Sequence, residues 1–383
     1  MTSLTPLKEV TEIITEEGGD ILKLCYQCGT CTAACPWNQV RSFIVRRIMH
    51  QGQLGLTDFE DEDIWRCATC NNCVVRCPRG VAIIDVMRAL RRAVTELGIA
   101  KVPDSLRLTL KNISGVGNPL GEDEDARSKW SADLGVKLHT EGTEILYLPC
   151  CIPEYDPAVQ RVSKAVAAIL NHAGVDWGIL GNEARCCGES VRKAGDESTF
   201  QHLAGHNIAA FEAAEVKKII VSSPHCYHTL TEEYPALGGR FEVVHVVEYL
   251  DELIKEGRLQ LTKEVPKKVS YHDPCYLGRH HEIYDAPRAV LAAIPGLTLV
   301  EMRDHHDNSL CCGGGGGRIW METPSGERFS DLRLEQALAA GAGVLATACP
   351  YCILNFDDSV VTKEKGSDIE IRDVAELVAL ALS

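Results

Sequence analysis

The chain has 383 residues, enough for two or three domains of roughly 150 residues each, and 45% of them are hydrophobic. Its 54 acidic residues outnumber 39 Lys and Arg residues, and a net charge of −15 without a basic stripe argues against a nucleic-acid partner. The number that stands out is 18 cysteines. Because the N-terminus lacks an apolar segment of signal-peptide length, we expect a reducing, cytoplasmic location, where thiols serve more often as metal ligands than as disulfides.

Two segments near the N-terminus repeat the pattern C-x2-C-x2-C-x3-C-P, as LCYQCGTCTAACP at 24–36 and RCATCNNCVVRCP at 66–78. In this spacing three cysteines hold one [4Fe-4S] cubane, and the fourth, forced away by its proline, ligates the other cluster. Structural zinc sites use two separated pairs of ligands and fit the pattern poorly. We therefore predict two cubanes, one held by Cys25, Cys28, Cys31 and Cys77 and the other by Cys67, Cys70, Cys73 and Cys35.

Helical spacing of apolar residues follows each cysteine run, in VRSFIVRRIMHQG and in VAIIDVMRALRRAVTELG. We expect a helical ferredoxin-like domain over 1–97. The paired arginines Arg46, Arg47, Arg91 and Arg92 suit either an acidic docking partner or, as we favour, solvated helix faces. The segment 98–143 is rich in Gly, Pro and acidic residues and is predicted to be a linker or a surface excursion.

From residue 144 onward short β-branched runs alternate with helical segments, and the whole order then recurs. Cys186 and Cys311 are 125 positions apart, and Pro224 and Pro350 are 126 positions apart. This is the signature of an internal duplication. It predicts two α/β repeats, at 144–262 and 263–383, each with a parallel sheet whose strands carry the site at their carboxyl ends.

The stretch 336–356 has no charged residue and is long enough to span a bilayer. It is mostly Ala and Gly, and Pro350 interrupts it. We predict the end of a helix, a strand and a metal-ligand turn here, and no membrane span.

The second repeat gathers five cysteines from three strand-end turns, which are Cys275, Cys311, Cys312, Cys349 and Cys352. Five thiols exceed what one cubane takes, so the set favours an open, non-cubane iron–sulfur cluster. Glycines follow directly, and we expect Gly313, Gly314 and Gly315 to approach the cluster and donate amide hydrogen bonds to its sulfur atoms. A phosphate-binding loop is disfavoured, because no Lys-Ser/Thr pair follows the glycines.

The first repeat departs from this pattern. Aligning Pro224 with Pro350 puts Ser223 at the position of Cys349, and an adjacent cysteine pair stands where the second repeat has only Cys275. The thiols of the first repeat are Cys150, Cys151, Cys186, Cys187 and Cys226. Either the extra cysteine compensates for the lost one, or the repeat holds a four-thiolate cluster or a zinc ion beside one spectator thiol.

Several histidines and one arginine lie near these turns: His225, His228, His272, His280, His281, His305, His306 and Arg279. Any of the histidines has the chemistry to protonate a leaving thiolate, although structural roles are favoured. Arg279 is a candidate for an anion contact.

The two N-terminal runs resemble the small two-cubane subunit of the heterodisulfide reductase family. The sequences CCG at 186–188 and 311–313 and CPYC at 349–352 resemble the duplicated cysteine-rich (CCG) domains of its catalytic subunit. The chain is similar to a natural fusion of the two. The resemblance implies α+β and α/β architecture, with a helical two-[4Fe-4S] ferredoxin-like domain followed by two α/β CCG domains. It assigns the catalytic role to Cys275, Cys311, Cys312, Cys349 and Cys352.

The resemblance also implies that electrons enter from a flavoprotein subunit through the cubanes. Related chains serve glycolate or lactate oxidases and flavoprotein-linked quinone reductases. We expect an iron–sulfur electron-transfer subunit of a cytoplasmic, anaerobic oxidoreductase complex, with one or two clusters besides the cubanes and no flavin on this chain. The alternatives are a disulfide reductase acting on CoM-S-S-CoB-type substrates, a subunit of a glycolate or lactate oxidase, and a non-redox scaffold stabilised by zinc.

Overall fold

The computed structural model describes residues 6–16, 19–56, 63–98 and 100–382. These residues form two compact units. The first is built from the described residues of 1–111 together with 190–200 and 313–329, and the second from 112–189, 201–312 and 330–382. Each unit is therefore assembled from separate stretches of the chain.

The N-terminal part is helical, as the apolar spacing predicts. Its helices are α1 (Lys8–Glu16), α2 (Thr30–Ala34), α3 (Val45–Gln53), α4 (Asp63–Arg66), α5 (Ile83–Leu97) and α6 (Asp104–Val116). Helix α1 packs against α5, because Val10 and Ile14 on one helix and Val86 and Leu90 on the other are buried apolar side chains. Helix α6 lies in the segment that we expected to be a linker, so this segment has regular structure of its own.

The first repeat alternates strands and helices. Its elements are β1 (Ile145–Leu148), α7 (Cys151–Tyr155), α8 (Gln160–His172), β2 (Trp177–Gly178), α9 (Glu189–Ala194), α10 (Glu197–Ala213), β3 (Lys218–Val221), α11 (Pro224–His228), β4 (Glu242–His245) and α12 (Val246–Lys255). All strand pairs are parallel, in the order β2-β1-β3-β4. Every residue of β1 is buried, as expected for a central parallel strand that is covered on both faces.

The second repeat has the same design. Its elements are β5 (Lys268–Tyr271), α13 (Gly278–His281), α14 (Asp285–Ala292), β6 (Thr298–Leu299), α15 (Phe329–Ala339), β7 (Val344–Thr347), α16 (Pro350–Thr362), β8 (Glu370–Asp373) and α17 (Val374–Leu380). Its parallel sheet has the order β6-β5-β7-β8, equivalent strand for strand to the first. The predicted duplication and the parallel α/β sheets are confirmed.

Within the second unit the two sheets share one hydrophobic core. The last helix of each repeat packs on the first long helix of the other, α17 on α8 and α12 on α14. Buried side chains from both repeats, such as Tyr147, Leu250, Tyr271 and Val378, belong to one apolar cluster. The repeats are thus held together by the same burial of apolar surface that folds each of them.

The uncharged stretch 336–356 contains the end of α15, strand β7 and the start of α16, as predicted. Across the described part of the chain, no helix combines the length and the apolar character that a bilayer crossing requires.

Candidate metal centres

The eight N-terminal cysteines lie in two groups of four. One cavity is lined by Cys25, Cys28, Cys31 and Cys77. A second cavity is lined by Cys35, Cys67, Cys70 and Cys73. In each group the fourth cysteine comes from the other run, which is the exchange that the spacing predicts.

The surroundings of these thiols fit an iron–sulfur cluster. Apart from Thr69, the rest of the second cavity is lined by apolar side chains, among them Trp37, Phe43 and Phe329. Burial and the neighbouring thiols raise the pKa of Cys73 well above its usual value. Thiolates crowded in this way need a metal to stabilise their charge, and four thiolates are the donor set of a [4Fe-4S] cluster.

Arg91 positions the second cysteine run. It is fully buried, and its guanidinium donates hydrogen bonds of 2.8–2.9 Å to the backbone carbonyls of Ile64, Cys67, Lys193 and Gly316. The expectation of a solvated or docking arginine is therefore wrong for Arg91. The cause is long-range, because carbonyls from several separate loops converge on one side chain.

The glycine run also packs on the second cysteine run. A Cβ atom at Gly315 would lie 2.4 Å from the Ala68 carbonyl oxygen, and one at Gly316 would lie 2.4 Å from that of Cys67. The close approach that these glycines permit is thus to Cys67 and Ala68, whereas we expected an approach to the cluster of the second repeat. A role of Gly313, Gly314 and Gly315 at that cluster stays a prediction.

We expect Gly316→Ala to displace the Cys67 loop. The added methyl group meets a backbone oxygen, and the φ of +62° is unfavourable for alanine. Iron bound by the second cubane group should fall, measured as iron per chain after anaerobic purification. Gly326→Ala is the matched control, because Gly326 has a φ of +85° but open space around its Cβ position. Equal iron loss in both variants would contradict the packing argument.

The second repeat brings its cysteines to the carboxyl edge of its sheet. Cys275 follows β5, and Cys349 follows β7. The Sγ atoms of Cys312 and Cys352 are 3.1 Å apart, and the Cys312 thiol also hydrogen-bonds to that of Cys311. All five thiols are buried.

His272 lies beside this group. The ligand atoms of His272, Cys312 and Cys352 all lie within 4.8 Å of one another. The Arg333 side chain donates through Nε to His272 Nδ1 at 3.1 Å, which leaves the ring proton on Nε2. His272 is therefore set up as a hydrogen-bond donor toward sulfur rather than as a metal ligand.

The five thiols of the first repeat form one continuous network. Cys151 hydrogen-bonds to Cys186, Cys186 to Cys187, Cys187 to Cys226, and Cys226 to Cys150. The structure thus brings together all five residues that the sequence singled out.

Sequence reasoning missed Arg127, which lies in the segment 98–143. It is buried, forms an ion pair with Glu154 and donates a 3.1 Å hydrogen bond to the Gly117 carbonyl. Burial opposes its charge, but Glu154 and the nearby thiols of Cys151 and Cys186 raise its pKa overall. Arg127 therefore carries a positive charge at the first thiol network, and no local sequence signal marked it.

His225 connects the two repeats. Its ring packs against Tyr276 and Tyr351, with centroid distances of 4.2 and 4.5 Å. Its Nδ1 atom is 3.2 Å from a Glu189 carboxylate oxygen, and its side chain also hydrogen-bonds to the Cys349 thiol. Because Cys226 is the next residue in the chain, this one turn contributes to the surroundings of both thiol sets.

The remaining polar candidates have structural contacts. Arg279 donates to the carbonyls of Ser309 and Asp307, at 2.6 and 3.2 Å, and so braces the loop before Cys311. His280 stacks on Tyr276 at 4.1 Å.

Comparison with protein families agrees with both parts of the chain. A family model described as a 4Fe-4S dicluster domain matches residues 21–81. A model described as a cysteine-rich domain matches twice, at residues 145–231 and 269–357.

Curated relatives include a probable iron-sulfur-binding oxidoreductase, FadF, of Bacillus subtilis, which is 39% identical over 83% of this chain and 46% of its own length. The EtfAB:quinone oxidoreductase of Syntrophomonas wolfei is 36% identical over 84% and 47%. The chain thus spans about half the length of these two relatives. One subunit of the dihydromethanophenazine:CoB–CoM heterodisulfide reductase of Methanosarcina mazei is 30% identical over 94% of both chains. The chain therefore belongs to the heterodisulfide reductase family of iron–sulfur oxidoreductase subunits.

Proposed function

We propose that the chain is the iron–sulfur electron-transfer subunit of a cytoplasmic oxidoreductase complex. It relays electrons between a flavoprotein partner and an acceptor through two cubane clusters and through clusters in both cysteine-rich repeats. One observation carries the proposal: the thiols lie in four compact groups, and the rings of His225, Tyr276 and Tyr351 pack together where the two repeats meet. Buried rings at this position favour a relay over a binding site for a disulfide substrate.

Bound [4Fe-4S] groups supply one-electron transfer. The protein supplies the ligands, an apolar wall that excludes water, and hydrogen bonds and charge that set the potential. His225 directs a hydrogen bond at the Cys349 thiol, the His272 ring lies beside Cys312 and Cys352, and Arg127 supplies positive charge at the first repeat. These interactions stabilise the more negative, reduced state and so raise the potential.

The relatives support a redox role with different acceptors. One is named for EtfAB and a quinone, and another for dihydromethanophenazine and a heterodisulfide. The family resemblance supports a flavoprotein partner. The second candidate function is reduction of a disulfide at the thiols between Cys275 and Cys352, and it is favoured by the relative that matches over nearly its whole length.

One assay separates the two functions. The anaerobic full-length chain is supplied with photoreduced flavin as donor, and either a water-soluble quinone or a mixed disulfide as acceptor. The relay predicts quinone reduction and no release of thiol. Thiol release at a rate matching quinone reduction would overturn the relay in favour of the reductase.

Substitutions of His225 test how the protein sets the midpoint potential of the cluster in the second repeat. We expect His225→Phe to lower the midpoint potential of its cluster and to slow electron transfer by about 10- to 100-fold, since a hydrogen bond to the Cys349 thiol is lost. The measurement is a redox titration followed by EPR, at unchanged iron content. His225→Gln keeps an N–H donor and should retain a potential closer to that of the wild type. An unchanged potential in His225→Phe would contradict the assigned role.

A further inference from the structure

The thiol contacts of the two repeats can be compared residue by residue. In the second repeat the cysteine on helix α16, Cys352, hydrogen-bonds to Cys312 and Cys349. In the first repeat the equivalent cysteine on helix α11, Cys226, hydrogen-bonds to Cys187 and Cys150. Cys187 corresponds to Cys312 in the two CCG sequences. Cys150 therefore makes the contact that belongs to Cys349 in the second repeat.

The residue that corresponds to Cys349 in sequence is Ser223. Both residues immediately precede a helix that begins with proline, so they are equivalent in structure as well. Ser223 is fully buried, and its hydroxyl has no hydrogen-bond partner. A buried hydroxyl without a partner is unfavourable, so this position is not satisfied by the protein alone.

The backbone of Cys150 supports the same conclusion. Its φ of +93° and ψ of 151° lie in a region that is essentially restricted to glycine. Such a conformation is strained and persists only where the surroundings impose it. Here it occurs two residues after β1, in a residue whose thiol meets Cys226, while the next residue, Cys151, contacts Cys186. The strained turn thus lets two adjacent cysteines reach two different members of the network.

We propose that the first repeat holds a five-thiolate iron–sulfur cluster in which Cys150 takes the ligand position that Ser223 lacks. The inference rests on the proposed function, because it requires a cluster in this repeat. The first repeat then has the same number of thiolate ligands as the second, although Ser223 replaces the first cysteine of the Cys349-x2-Cys352 pattern. The Ser223 hydroxyl then lies beside the cluster, and its O–H can donate a hydrogen bond to a sulfur atom.

The test is a pair of substitutions in the full-length chain, enriched in 57Fe and studied by Mössbauer spectroscopy. Cys150→Gly removes the thiol with a residue that adopts this backbone conformation without strain. The proposal predicts that the spectral component with five-thiolate coordination falls to about half of its wild-type amount. In Cys150→Gly/Ser223→Cys the component should return, because a thiol is restored at the position equivalent to Cys349.

Other outcomes are decisive. A Cys150→Gly spectrum that superimposes on the wild type would overturn the proposal, and so would a loss that Ser223→Cys does not restore. The failure of the proposed function is distinguishable from both. It would show in the wild-type chain as a total of only about eight iron atoms, all in cubane clusters.

Discussion

Replacing Cys312 by serine is expected to remove about four iron atoms per chain and to stop electron transfer beyond the cubanes. Cys312 is the central thiol of the second repeat, since it contacts Cys311 and Cys352 and lies beside His272. Serine keeps the size of the side chain but loses the soft thiolate that iron prefers. Changing only the hydrogen-bond partner of a metal ligand typically lowers activity by roughly 10- to 100-fold. Because Cys312→Ser removes a ligand itself, the rate of quinone reduction should fall by more than this.

The matched control for Cys312→Ser is Cys28→Ser. Cys28 belongs to the first cubane group and is exposed, so its replacement should remove cubane iron and leave the spectrum of the second repeat unchanged. Iron analysis and Mössbauer spectra of both variants check the pair. If Cys312→Ser retained its full iron content and its rate, the five thiols of the second repeat would not hold a working cluster.

Replacing Arg127 by methionine is expected to destabilise the second unit by about 3–5 kcal/mol. The substitution leaves the buried Glu154 carboxylate without its ion-pair partner, and the Gly117 carbonyl without its Arg127 hydrogen bond. The double variant Arg127→Met/Glu154→Met should recover most of the loss, since it removes both charges together. Anaerobic urea denaturation of the full chain, followed by circular dichroism, measures the difference.

Arg303→Met is the control for Arg127. The Arg303 side chain is 81% exposed and pairs with Asp304 at 3.0 Å, so its loss should have little effect on stability. An Arg127→Met variant as stable as Arg303→Met would show that the buried pair contributes little. A double variant no more stable than the single one would show that the loss comes from packing instead.

Features that depend on local sequence were predictable. The spacing of the two N-terminal runs was sufficient to group Cys77 with Cys25 and Cys35 with Cys67, because the proline after each fourth cysteine redirects the chain. The alternation of strands and helices, its recurrence in the second repeat and the parallel sheets were predicted, since a parallel strand with its crossover helix has a strong sequence pattern. Because the carboxyl ends of parallel strands lie at one edge of a sheet, the grouping of the cysteines within each repeat was predictable as well.

Features that depend on which loops meet in the folded chain were not predictable. Arg91 has the sequence context of a surface arginine, yet four backbone carbonyls surround it. Arg127 stands in an acidic, glycine-containing segment that gives no sign of burial. The contact of Cys150 with Cys226 depends on a backbone conformation that sequence patterns do not indicate for cysteine.

In the proposed function, electrons pass through clusters in all four thiol groups of this chain. An anaerobic redox titration of the purified full-length chain, followed by EPR, counts these clusters. Four clusters should each give a one-electron signal, with one signal missing in Cys28→Ser and a different one missing in Cys312→Ser. A colourless chain that holds zinc and gives no one-electron signal would contradict the proposed relay.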